Sequence, residues 1–225
     1  MPRVAFCPHP PLLAAAGAVG DVPEVEPVRR AALDAVRRLV ADAPARVVVL
    51  AAEDPSSPAD EGAGGTLQPH GLDVHAGGSD LRLGLAHTVG AWLLDRVGWG
   101  GPRTYVGSIT SADLDDAAVL VVADGTATRS ATAPGHLDDR ATPFDATVAA
   151  ALADGDADTL GGIDLDLATA LWCQGAPAWR TVGDAVAARL HTTDDEAEGP
   201  AVEASLLVDD APLGVGWFVA VWDVP

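Results

Sequence analysis

The groups from which this 225-residue chain could build a metal or proton-transfer site are six histidines, two cysteines and 33 carboxylates. His9 stands in CPHPP, residues 7–11, where prolines 8, 10 and 11 forbid continuation as strand or helix. An imidazole fixed in such a turn suits metal ligation or proton transfer, and equally suits capping a strand end by hydrogen bonds. Glu53 and Asp54 follow the apolar run RVVVLAA. Carboxylates beside an imidazole make a nitrogen and oxygen donor set that can hold iron(II) or zinc. In a chain this acidic they serve equally as the polar start of a loop. His70 and His75 lie five apart in a glycine-rich stretch, from which they either reach back towards His9 or face solvent. His136 follows Pro134-Gly135 near Arg129, as an acid/base group or as a plain loop histidine. His87, inside LGLAHTVGAWLL, reads as a satisfied, partly buried helix residue. Cys7 and Cys173 sit in no CxxC pattern and read as small core residues. There is no GxSxG elbow and no GxxxxGK[ST] loop, and GAGG at 62–65 opens no helix.

The elements that must position these residues form an alternating pattern. Residues 3–7 read as a strand, 26–42 as an amphipathic helix, and 46–52 as a buried parallel strand. This β-α-β opening requires a right-handed crossover. Residues 53–80 read as one long loop, 85–97 as a helix, and 103–109 and 117–125 as strands. A loop then leads to helical stretches at 143–153, 164–173 and 178–190. Strands at 202–208 and 214–222, joined by DDAPL, pair as an antiparallel hairpin. The expected fold is α/β: a mixed, mostly parallel central sheet with helices on both faces and a C-terminal antiparallel hairpin. No linker interrupts residues 1–225, so one domain is expected. Ligands in such folds sit beyond the carboxyl ends of the strands. That points to residues 7–11, 53–75 and 124–136.

Composition narrows the partners. The formal net charge is -20, and all 13 basic residues are arginines, as in chains from GC-rich coding sequence. Arg29, Arg30, Arg37 and Arg38 fall on one helix and read as a solvated face paired with local acids. Without a basic stripe the surface repels nucleic acid and anionic lipid. Two cysteines are no disulfide framework. The proline-broken start is no signal peptide, and no apolar run reaches membrane-spanning length. A cytoplasmic location is the expectation. The six tryptophans read as core or subunit-interface anchors.

Three stretches carry a family resemblance. CPHPPLL at 7–13 resembles the amino-terminal histidine turn of the LigB-like (class III) extradiol dioxygenases. VVADGTATRSATAPGHLDDRATPFDATVAAALADGD at 121–156 resembles the stretch in which a strand ends in an "SGDLSH"-type motif, followed by a loop and "FD" in a helix. APLGVGWFVAVW at 211–222 is similar to the closing strand. The Memo-like proteins share this fold. The resemblance implies, for active members, iron(II) held by two histidines and a carboxylate, with a further histidine taking the catechol proton.

Carried onto this chain, the resemblance puts His9 in the place of the first histidine ligand, and Glu53 and Asp54 in the place of the second. Cys173, in LWCQG, resembles the cysteine of the Memo-like branch, while Glu203 is the candidate for the glutamate of the dioxygenase branch. Arg129 replaces the acid/base histidine and stays protonated at neutral pH, which leaves His136 as its neighbouring-loop substitute. The expected metal set is His9, Glu53, Asp54 and Cys173, with iron(II) or zinc, or no cofactor at all. The leading expectation is a superfamily member without orthodox ring cleavage that keeps a small-molecule or metal pocket around His9. The alternatives are a metalloenzyme with a rearranged site and a non-catalytic interaction protein. A homodimer is expected from the family, with Trp217 and Trp222 as interface anchors.

Overall fold

The computed structural model describes residues 1–15, 22–53, 59–192 and 201–225. The strands, in chain order, are β1 (Arg3–Cys7), β2 (Arg46–Leu50), three short strands β3 (Ala63–Thr66), β4 (His75–Gly77) and β5 (Asp80–Leu81), then β6 (Arg103–Val106), β7 (Ala117–Val122), β8 (Glu203–Asp210) and β9 (Trp217–Asp223). The helices are α1 (Glu26–Val40), α2 (Leu85–Arg96), α3 (Ala141–Asp154), α4 (Ala157–Gly161), α5 (Leu165–Ala170) and α6 (Ala176–Thr192).

Six strands form the main sheet in the order β6-β2-β7-β1-β9-β8. The four strands from β6 to β1 are mutually parallel, whereas β9 runs antiparallel to β1, and β8 to β9. The mixed sheet and the closing hairpin therefore take the expected form. The continuous apolar runs have a direct cause: β7 is buried along its whole length because both sheet faces are covered. Ala5, Cys7, Val47, Val49, Leu120 and Val122 face α1 and α2. Val4, Phe6, Val48, Val119 and Val121 face α3, α4 and α6. On that second face Phe6 meets Trp222 edge-on at 4.9 Å, and Trp222 Nε1 donates to Leu152 O at 2.8 Å.

Several readings need correction. The stretch 53–80 is not one loop: β3, β4 and β5 form a separate small sheet packed on α2. Its glycines and absence of alternation concealed it. Trp217 and Trp222 are buried within the chain, so they are not interface anchors. Trp172, by contrast, is 55% exposed. Arg29 is not on a solvated face. It is buried, and its guanidinium donates to Leu13 O at 2.7 Å and Leu12 O at 3.0 Å and pairs with Glu26. It thereby ties α1 to the 3-10 turn Pro11–Ala14, directly after His9. Among the described residues no helix is long and apolar enough to cross a membrane.

Candidate functional site

The adjacent parallel strands β1 and β7 send their chains to opposite faces: β1 leads to α1 on one side, β7 to α3 on the other. This is the topological switch point of the sheet, the place beyond the carboxyl ends where such folds bind ligands. Cys7 is in register with Val122, so the first residues past the pair confront one another. Ala123 N donates to Cys7 O at 2.9 Å. One step further, His9 N donates to Asp124 Oδ1 at 2.7 Å. The imidazole Nδ1 lies 3.5 Å from the same oxygen, and it is buried with no hydrogen-bond partner among the described residues. The two side chains are only 12% and 16% exposed. Burial pushes the Asp124 carboxyl above the usual carboxylate range, opposed by the charge and the N–H of His9.

A third segment closes on this pair. Cys173 Sγ donates to Asp124 O at 3.6 Å. Gly175 sits so close to β7 that a Cβ there would lie 2.4 Å from Asp124 O, and only glycine allows that approach. Burial pushes the Cys173 thiol far up, as it does Cys7. Without a metal, burial therefore favours the protonated thiol at both positions.

The loop after Asp124 is held by Asp145, on α3. This buried carboxylate accepts Thr126 N at 3.0 Å, Thr126 Oγ1 at 2.9 Å and Arg129 Nη1 at 3.0 Å. Burial raises its pKa, and the bonds from Thr126 and Arg129 pull it back down. On the other side, Gly125 N donates to Gly216 O at 2.7 Å, Gly216 N to Thr126 O at 2.9 Å, and Arg129 N to Gly214 O at 3.1 Å. A Cβ on Gly216 would lie 2.4 Å from Asp145 Oδ2, so glycine is required where loop and carboxylate converge. Arg129 is thus the counterion of a buried acid, and its role here is to position the loop.

The remaining candidates lie apart. In the sheet order β7 separates β2 from β1, so Glu53 leaves the sheet two strands from His9. Glu53 is exposed, and its carboxylate rests on the start of α2, against Gly84 and 3.5 Å from Ala86 N, where the positive helix end attracts it. Asp54 falls outside the described residues. His136 is exposed on the loop beyond Arg129, in a left-handed backbone conformation. His70 and His75 are exposed on the small sheet and its turn. Glu203 is in register with Asp223, which pairs with Arg3, so it lies at the amino end of β1, opposite His9. His87 is buried, with Nε2 3.1 Å from Val106 O, as read from its helix.

Among the described residues no group of three or more histidine, cysteine, aspartate or glutamate side chains is placed to hold a metal ion. One imidazole, one carboxylate and one sulfur do not make a two-histidine, one-carboxylate iron site. Sequence reasoning missed Asp124 and Asp145. The signal for Asp124 was its place as the first acid after a six-residue buried strand, but acids are common throughout the chain. No family model matches this chain, and no curated protein matches it.

Proposed function

We propose that this chain is a LigB-like superfamily protein without orthodox aromatic ring cleavage, in which the strand ends around His9 and Asp124 bind a small molecule. The supporting observation is the pairing of His9 with Asp124 at the switch point between β1 and β7. Arg129, at the position expected of an acid/base histidine, is tied to Asp145 instead. In this reading the ligand carries a hydroxyl or amine that meets the imidazole. Asp124 orients that imidazole through the His9 backbone and balances its charge when it takes a proton. The described donors do not fit iron, and no step depends on it.

The test is metal content and ring opening, measured on wild type and His9→Ala. After anaerobic incubation with iron(II) or zinc, less than stoichiometric binding and no opening of catechols are expected from both proteins. Ring opening at ordinary enzymatic rates, or one metal per chain lost in His9→Ala, would sink this reading.

A further inference from the structure

Among the described residues four non-glycine positions have left-handed backbone: Ala43, His136, Trp172 and Leu213. The last three fall in the three loops that converge beyond β7. Each carries or adjoins an exposed large apolar side chain: Leu137 at 59%, Trp172 at 55% and Leu213 at 51%. Left-handed backbone at non-glycine residues costs on the order of 1–3 kcal/mol each and clusters at ligand clamps and binding sites. Leucines and a tryptophan left more than half exposed recover only part of that cost through burial within the chain.

The loops are locked to one another. Ala127 N donates to Leu171 O at 3.1 Å, Gly135 N to Ala127 O at 2.9 Å, and Arg129 N to Gly214 O at 3.1 Å. The Trp172 ring packs on Gly135. The apolar groups are therefore presented on a preorganised surface, which lowers the ordering cost of association. Beside Trp172 opens a cavity of about 340 Å³, walled by Leu165, Ala168, Cys173 and Pro177 as well as by the indole. The segments that carry these apolar groups are acidic: Asp139 stands two residues after Leu137, Asp166 follows Leu165, Asp209 and Asp210 precede Leu213, and all four are exposed. The arginines of the same segments, Arg129 and Arg140, are already paired with Asp145 and Asp138.

We infer that this three-loop surface docks a basic polypeptide segment of a partner protein, which inserts one apolar anchor beside Trp172. The apolar centre gives the anchor its contact, and a tryptophan at the centre of a desolvated patch is the usual hot spot. The choice of a basic partner follows from the exposed aspartates of these segments and the net charge of -20. A second copy of this chain would bring like charge against like.

The experiment is selection of a phage-displayed library of random peptides on the full chain, with Trp172→Gly and Leu213→Gly as counter-targets. Both substitutions put glycine where the backbone is left-handed, so melting temperatures equal to wild type or higher are expected. Peptides combining Lys or Arg with an aromatic or leucine anchor should be enriched on wild type. Their affinity should fall on the order of tenfold in either variant, and again when NaCl is raised from about 50 mM to about 0.5 M. Enrichment of acidic or uncharged peptides, or of none over the variants, would overturn the inference. So would a wild-type dimer, seen by light scattering, that Trp172→Gly dissociates.

Discussion

At the scale of single residues the strand-end site rests on two carboxylates with different partners, half-buried Asp124 and buried Asp145. Asp124 accepts the His9 N–H and faces its imidazole, with no arginine paired to it among the described residues. Asp124→Asn keeps an acceptor for that N–H and removes a charge that burial penalises, so stability should be unchanged or slightly higher. Asp124→Ala leaves the N–H unsatisfied and should cost about 1–3 kcal/mol. Urea titration of the two variants distinguishes these outcomes, and an equal loss in both would show that the charge itself stabilises the fold. Asp145 holds Thr126 twice and Arg129 once. Asp145→Ala should cost about 3 kcal/mol, since it strands two donors and a partly buried guanidinium together. Asp145→Asn retains an acceptor and should cost about 1 kcal/mol. Equal melting temperatures for both variants would argue against this account of the loop.

Among the elements, α4 is too short to form without tertiary support, and its start depends on its cap. Asp156 accepts Thr159 N at 2.9 Å and Thr159 Oγ1 at 2.6 Å. The Thr159 hydroxyl, then its N–H, holds the Asp156 carboxyl below the usual carboxylate range. Asp156→Ala should cost about 1 kcal/mol at neutral pH. Because the folded-state pKa is depressed, that stabilisation is present above the unfolded pKa of about 3.9 and is lost as pH falls through the folded value. The difference in stability between wild type and variant should therefore shrink below about pH 4. A penalty that stayed constant into strong acid would mean that packing, not the ionised cap, holds α4.

Over the whole molecule charge is unbalanced: 33 acids stand against 13 arginines. Surface ion pairs such as Arg46–Asp116 and Arg189–Asp115 contribute about 0–1 kcal/mol each, and salt weakens them. Self-repulsion of the excess acids opposes the compact state, and salt weakens that too. With so large an excess the repulsion should dominate, so the melting temperature should rise between about 20 mM and about 0.5 M NaCl. A falling melting temperature in calorimetry would show that the ion-pair networks outweigh it.

The mixed sheet was legible in the chain because its central strands β2 and β7 are buried on both faces, and such strands read as unbroken valine-rich runs whatever lies beside them. The closing hairpin was legible from a short polar link between two apolar stretches. His9 was legible as a strand-end residue because prolines on both sides leave its backbone few alternatives. The strand order was not. It depends on which runs lie side by side, and it places β7 between β1 and β2. That order separates Glu53 from His9 and brings up Asp124, whose place after a buried strand is a weak mark among 33 acids. Arg29 left its expected environment for the same reason. Helical spacing shows that a side chain lies on a face, but only packing decides whether that face meets a neighbour or water. The small sheet escaped notice because β3, AGGT, carries too few side chains to show alternation, and its pairing with β4 and β5 exists only in three dimensions.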